Sequence, residues 1–206
     1  NSYDEHMLSG GMLAINFAGY VTSLQSISGN DVTINLSRQA SRRKNAYISF
    51  NKSSNNSYTV KEWEHFYHPM NADAGVHNPD RELEWQIQIG GVTYPQTPVN
   101  SIAETFAQLR KTVAHYGKKP VSLTPTEYQS SKFVISYDFE MLSEVGYTGV
   151  STSNGQMITV KVKPKDKSLL NSGQTAGTDL MPDQLFMVLC IDIILELRDS
   201  GISVLD

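Results

Sequence analysis

The sequence predicts an all-β protein, an antiparallel sandwich of about eight strands with one inserted α-helix at about 101–116. Three observations predict it. Apolar and polar residues alternate strictly in many short segments, as half-buried strands require. One segment departs from that rhythm, with helical spacing and its own capping signals. The composition is polar rather than charged: 18% of residues are charged and 39% hydrophobic, with Ser, Thr, Asn and Gln abundant. That balance suits many strands joined by turns.

The strands follow in chain order. Met12–Leu24 is irregular but rich in β-formers. Val32, Ile34 and Leu36 alternate with Thr33 and Asn35. Ala46, Ile48 and Phe50 alternate with Asn45, Tyr47 and Ser49. Tyr58–Tyr67 is a further β-rich stretch. In Leu83–Ile89 the apolar face is Leu83, Trp85, Ile87 and Ile89, against Glu84, Gln86 and Gln88. Gly90-Gly91 then reads as a hairpin turn rather than a phosphate loop, because the GxxxxGK[ST] spacing is missing. Pro95 and Pro98 are expected to end the strand region that follows.

The helix is Ser101–Tyr116. Ser101 and Glu104 form a capping-box signature, and Ile102, Phe106, Leu109 and Val113 recur at helical spacing. Gly117, Lys118, Lys119 and Pro120 supply stop signals. Beyond it, Phe133–Glu140 sets Phe133, Ile135, Tyr137 and Phe139 against Val134, Ser136, Asp138 and Glu140. Met157–Val162 sets Ile158, Val160 and Val162 against Thr159 and Lys161. Leu185–Leu197 is apolar at every odd position, and at even positions until Asp192 and Glu196. It is long enough for a helix, but period 2 and its β-branched residues favour a strand, covered on both faces at its start and on one at its end. Turns are expected at Ser28–Asp31 and Ser153–Gly155, with longer loops at Lys52–Ser57, His68–Pro79 and Pro164–Pro182. Eight strands with long connections make a jelly roll the leading arrangement. An immunoglobulin-like sandwich alternates in the same way, but the inserted helix and the lack of a Cys pair count against it.

Several function classes are excluded or weakened. A length of 206 residues favours one domain, able to bury roughly 70% of the surface its unfolded chain exposes. A net charge of −4 argues against sequence-independent nucleic-acid binding over the whole surface. No apolar run reaches the ~20 residues of a membrane-spanning helix. The single cysteine, Cys190, excludes an internal disulfide framework and a multi-Cys metal site.

Each chemical candidate has a plainer reading beside it. Glu62, Glu64, His65, His68 and His77 are close in sequence, and His65 with His68 is a spacing that metal sites use. Positions three apart on a strand face opposite sides, however, and Trp63, Phe66 and Tyr67 read as packing. Asp138, Glu140, Asp192 and Glu196 are candidates for an acid–base pair, or are solvent-facing charges on amphipathic strands. Cys190 sits in an apolar strand and reads as a core residue. Ser41-Arg42-Arg43-Lys44 is the one dense basic cluster, read as a solvated turn or as a contact to nucleic acid or an acidic partner. Asn35, Asn51 and Asn55 head N-glycosylation patterns of the kind an Asn- and Ser-rich chain produces by chance. No catalytic, cofactor-binding or metal residue is assigned.

From Arg81 onward the order of elements resembles a known family. Glu84-Trp85-Gln86-Ile87-Gln88-Ile89, Gly90-Gly91 and Val92-Thr93-Tyr94-Pro95 come first. The helix with Glu104-Thr105-Phe106-Ala107-Gln108-Leu109-Arg110-Lys111 follows, then Phe133–Glu140. Gly146-Tyr147-Thr148-Gly149-Val150-Ser151-Thr152, Asn154-Gly155, Met157–Lys163, Leu185–Leu197 and Arg198–Asp206 complete the series. This resembles the C-terminal jelly roll of double-jelly-roll, hexon-like major capsid proteins of Polinton/Maverick elements, adintoviruses and related DNA viruses. The resemblance implies a structural protein of the virion, not an enzyme and without a cofactor. It implies trimers forming pseudo-hexameric capsomers that tile an icosahedral shell, with penton and minor capsid proteins as further partners. It implies no specific nucleic acid and no transmembrane segment. About 200 residues hold one barrel, so residues 1–206 are expected to be the C-terminal half of a longer subunit, with a single-jelly-roll capsid protein as the alternative. The rival readings are a carbohydrate-binding sandwich using Trp63, Tyr67 and Trp85 as platforms, and a cupin-like metal protein using His65, His68 or His77.

Overall fold

The computed structural model describes residues 13–27, 32–36, 42–51, 66, 68, 82–116, 122–140, 150–151, 156–164, 184–198 and 201–205. The elements are β1 (Leu13–Ser26), β2 (Val32–Leu36), β3 (Arg43–Asn51), β4 (Leu83–Ile89), β5 (Val92–Val99), α1 (Ile102–Tyr116), α2 (Pro125–Ser130), β6 (Val134–Asp138), β7 (Ile158–Pro164), β8 (Gln184–Arg198) and β9 (Gly201–Leu205). One sheet has the order β1-β8-β3-β6, with β9 also on β8; the other has the order β2-β7-β4-β5. Every pairing between these strands is antiparallel.

The order has a simple logic. β1 pairs with β8, β2 with β7, β3 with β6 and β4 with β5. These nested pairs are the rungs of one long antiparallel hairpin, rolled so that alternate rungs fall in opposite sheets. The β3–β8 and β4–β7 pairings close each sheet. That is the expected jelly roll, with a ninth strand added. The hairpin's tip is the β4–β5 turn, where Gly90 has φ 58°, a conformation that glycine adopts without steric cost.

The alternating residues meet between the sheets. Trp85, Ile87, Ile89, Ile158, Val160 and Val162 from one sheet face Ile48, Phe50, Ile135, Leu185, Met187 and Leu189 from the other, all buried. Each such side chain contributes about 1.5–3 kcal/mol through lost apolar hydration. Tyr94 of β5 joins the sheets at one side, its ring 5.9 Å from Tyr137 and 5.5 Å from Phe139.

Pro95 and Pro98 do not end a strand, as the sequence suggested; both lie inside β5. β5 is an edge strand, and its register with β4 shifts between Trp85 and Ile87, so a missing N–H costs little there.

α1 matches its expected span and caps as expected at Ser101, whose Oγ accepts from the Glu104 N–H at 3.1 Å. The Glu104 carboxylate accepts from Asn100 N–H at 3.5 Å, and Glu82 accepts from Ile102 N–H at 2.8 Å. The buried stripe is Ile102, Thr105, Leu109 and Thr112, rotated from the all-apolar stripe expected; Phe106 and Val113 are partly buried. Burial of the threonines is possible because Thr105 donates to Ser101 C=O at 2.8 Å and Thr112 to Gln108 C=O at 2.9 Å. Ser136 of β6 donates to Thr112 Oγ1, and the Trp85 indole donates to Thr105 Oγ1 at 3.0 Å. The helix thus covers the outer face of β6, which explains a fully buried serine on a strand.

α2 was not expected. Its signal was present: Thr124 and Glu127 form a reciprocal capping box and Pro125 opens the helix. Of the expected strand at 58–67, only Phe66 is among the described residues, in an isolated parallel bridge to Lys132.

Candidate assembly surfaces

Asp192 and Glu140 do converge, but on a cation. Lys44 Nζ lies 2.8 Å from Asp192 Oδ1 and 3.7 Å from Glu140 Oε1, with both carboxylates almost fully buried. Neither is the solvent-facing charge that strand alternation suggested. The cause is a shift in register between β3 and β8 at Arg43–Asn45, which sets Lys44 against β8 out of the ladder's sequence. Burial pulls the Lys44 pKa down, but Asp192 and Glu140 together outweigh it and hold the ammonium above its ordinary value. An ammonium held between two carboxylates is a clamp rather than an acid–base couple. Asp138 accepts from Glu140 N–H at 3.0 Å, and Glu196 accepts from Arg198 at 2.8 Å on an exposed strand.

The basic cluster is not a solvated loop. Arg43 begins β3 and is buried; burial lowers its pKa to about 10. Ser41 lies outside the described residues. Cys190 is buried opposite Asn45. His68 is 1% exposed, edge-on to Phe133 at 4.4 Å, and serves as packing. Glu62, Trp63, Glu64, His65, Tyr67 and His77 lie outside the described residues. Among the described residues, no three His, Cys, Asp or Glu are grouped to hold a metal ion, and no helix is long and apolar enough to cross a membrane. Trp85 is 1% exposed and cannot be a sugar platform in this fold. Asn35 accepts from Thr159 at 2.8 Å on an exposed face, Asn51 is buried, and Asn55 is not described.

Among the described residues, the β1–β8 sheet offers apolar surface on both of its faces. The first is the outer face of the β1–β8–β3 sheet. Leu24 pairs with Phe186, Thr22 with Val188 and Tyr20 with Cys190; Tyr47 of β3 pairs with Val188. Directly opposed residues share a face. Tyr20 is 64% and Leu24 53% exposed, with Phe186, Val188 and Tyr47 half-buried beside them. Burial pushes the Tyr47 phenol up to about 12, so it stays neutral.

The second is a three-stranded ribbon formed by β1, the C-terminal half of β8, and β9. The β3–β8 pairing ends at Arg43–Ile191, and β9 takes over that edge of β8 from Ile194. Across the ribbon Ile15, Leu195 and Val204 form one row, and Leu13, Leu197 and Ile202 the next. Phe17 pairs with Ile193 behind them. All stand on the face that continues the core. The reverse face carries Ala14, Glu196 and Ser203, tied by the Ser203–Glu196 bond. At the ribbon's root a Cβ on Gly19 would run into Ile193 Cδ1, so glycine lets that side chain lie across β1. Sequence reading missed β9. Its signal was the apolar pair Ile202 and Val204 flanking Ser203 directly after Gly201.

No family model and no curated protein matches the sequence. Solved structures do match. VP54 of PBCV-1, as fitted into a reconstruction of the virophage Sputnik, superposes with a TM-score of 0.57 at 11% identity, over 99% of this chain and 54% of that one. A chain of the quasi-atomic PBCV-1 capsid superposes with a TM-score of 0.59 at 11% identity, with the same coverage. The chain therefore spans about half the length of these neighbours. At that identity the likeness is one of architecture: the chain has the jelly-roll fold found in these double-jelly-roll major capsid proteins.

Proposed function

We propose that the chain is a jelly-roll barrel of a viral major capsid protein, located in the virion, with a structural rather than enzymatic role. The observation that carries this reading is the agreement of fold over 99% of the chain with barrels of a virus capsid. Shell building needs side surfaces that tolerate water before assembly and exclude it afterwards. Half-buried apolar side chains set in a polar, weakly charged surface meet that need, and many small contacts then add up through multivalency.

In this reading residues 1–206 are the C-terminal barrel of a longer, hexon-like subunit. Three subunits form a pseudo-hexameric capsomer of an icosahedral shell, probed at its edges by penton and minor capsid proteins. The carbohydrate-binding alternative is weakened, because Trp85 is in the core.

Native mass spectrometry of the protein purified from its source tests the reading. The expected result is three copies of a subunit much heavier than 22.9 kDa. A stable monomer of 22.9 kDa would overturn it.

A further inference from the structure

β1 ends its sheet, and it is a long edge of 14 residues with no proline and no charged residue. Its register with β8 is unbroken from Leu13–Leu197 to Ser26–Gln184. Among the described residues, those of β1 make no main-chain hydrogen bond beyond that ladder. About half of the strand's N–H and C=O groups therefore point away from the sheet, since an antiparallel strand turns them alternately to either side. Edges of this kind are normally shortened, bulged, or marked by proline or charge. The barrel's other edges follow that rule. β2, β6 and β9 have five residues each, and β5 carries Pro95 and Pro98 beside a register shift. β1 has none of these devices.

A cleft of about 280 Å³ opens beside the same edge, between β1 and β2 of the other sheet. Val21 and the buried Leu36 and Leu189 line it with apolar surface, and Ser23, Gln25 and Asn35 add polar groups. A cavity of about 150 Å³ holds a benzene ring, so the cleft has room for an aromatic or branched side chain. On the outer face of the same stretch Tyr20 and Leu24 are 64% and 53% exposed.

We infer that β1 pairs with an extended segment of another polypeptide, which adds a strand to the sheet and sets one apolar side chain into the cleft. Another polypeptide is the source, because no described residue of β1 bonds through its main chain to its own chain beyond β8. The segment is free of proline, since its main chain must supply donors. It is uncharged, since a charge would lie without a partner against Tyr20, Leu24 or the apolar lining. Main-chain bonds hold such a strand and the cleft selects it. A folded second copy is the poorer occupant. Two β1 edges of 14 residues, rising about 3.4 Å each and about 10 Å thick, meet over roughly 480 Å² per partner. A stable complex buries about 800 Å² on each side. A second barrel also keeps the inward side chains of its β1 over its own core, whereas a lone peptide has one free for the cleft. The inference does not draw on the capsid reading.

The test is site-resolved amide exchange of β1 in the 206-residue chain. The probe is the peptide Lys-Thr-Val-Thr-Phe-Thr-Val-Thr-Lys, whose end lysines give solubility, and the control is the same peptide N-methylated throughout. Alternate amides of Leu13–Ser26 are expected to exchange fast in the chain alone and at least tenfold more slowly with the probe. The N-methylated peptide, which keeps the side chains and loses the donors, is expected to have no effect. Ser23→Lys puts a charge into the cleft and is expected to abolish the slowing with an unchanged melting midpoint. The N-methylated control decides the matter even if that variant fails to fold. Alternate amides already slow in the chain alone at every concentration would mean that the chain covers its own edge. Slowing that follows the chain's own concentration would make a second copy the occupant. No slowing at millimolar probe, or equal slowing by the N-methylated peptide, would remove the added strand. Each of these results overturns the inference and leaves the capsid reading standing.

Discussion

The two halves of β8 have the same kind of sequence and different fates. From Leu185 to Ile191 the odd positions are buried between two sheets. From Ile193 to Leu197 the odd positions are just as apolar, yet they stand on a ribbon partly open to water. The strand was expected to be covered on both faces at its start. Double coverage instead falls in the middle, at Leu189, Cys190, Ile191 and Asp192. There the register shift of β3 brings Lys44 onto Asp192. Alternation thus reports which way a side chain points, not whether anything meets it.

Substitutions along this contrast sharpen it. Leu185→Ala in the covered half is expected to cost about 3 kcal/mol in chemical denaturation, from lost burial and a cavity that cannot collapse. A cost below 1 kcal/mol would remove the distinction between the halves. Lys44→Met at the junction is expected to cost about 2 kcal/mol, since it leaves Asp192 and Glu140 buried without their cation.

The pH profile separates the two cations at that junction. Lys44 titrates higher folded than unfolded, so its contribution is complete below about 10.4 and is lost as pH climbs through the folded value. Arg43 titrates lower folded, near 10, so its penalty is relieved as pH rises above that. Lys44→Met is therefore expected to reduce the alkaline loss, leaving the part that comes from the raised phenols of Tyr47, Tyr128 and Tyr137, as read from denaturation midpoints between pH 9 and 11.

Thr124→Ala, far from β8, is expected to cost about 1 kcal/mol by removing the α2 cap. The capping hydrogen bonds from Thr124 hold Glu127 below its ordinary pKa, so this cap weakens as pH falls through that lowered value. Amide exchange in 126–130 at acid pH reads the effect. At the small end, Ile202→Ser on the ribbon is expected to change stability by less than about 0.5 kcal/mol. A loss as large as that of Leu185→Ala would mean that the ribbon face is already covered.

Much of the fold was legible because the physics behind it is local. Strands β2, β4 and β7 were read from alternation, and α1 from spacing and caps. Where distant segments compete, reading failed. Pro95 and Pro98 look like strand ends unless β5 is known to be an edge. Thr105 and Thr112 look like a polar helix face until Trp85 and Ser136 are seen to meet them. Arg43 and Lys44 look like a solvated turn until β8 is laid beside them. The site was the least legible part, since a surface made of three strands has no motif in any one of them.

By itself, then, the sequence determined the periodicities: which segments extend, which one coils, and which face of each is apolar. Those follow from side-chain geometry within a few residues. The tertiary structure decided the nesting of β1 with β8 and β2 with β7, the burial of Lys44 against Asp192, and where the second layer stops over β8. Each of these depends on residues more than a hundred positions apart, and backbone propensity carries no information over that distance.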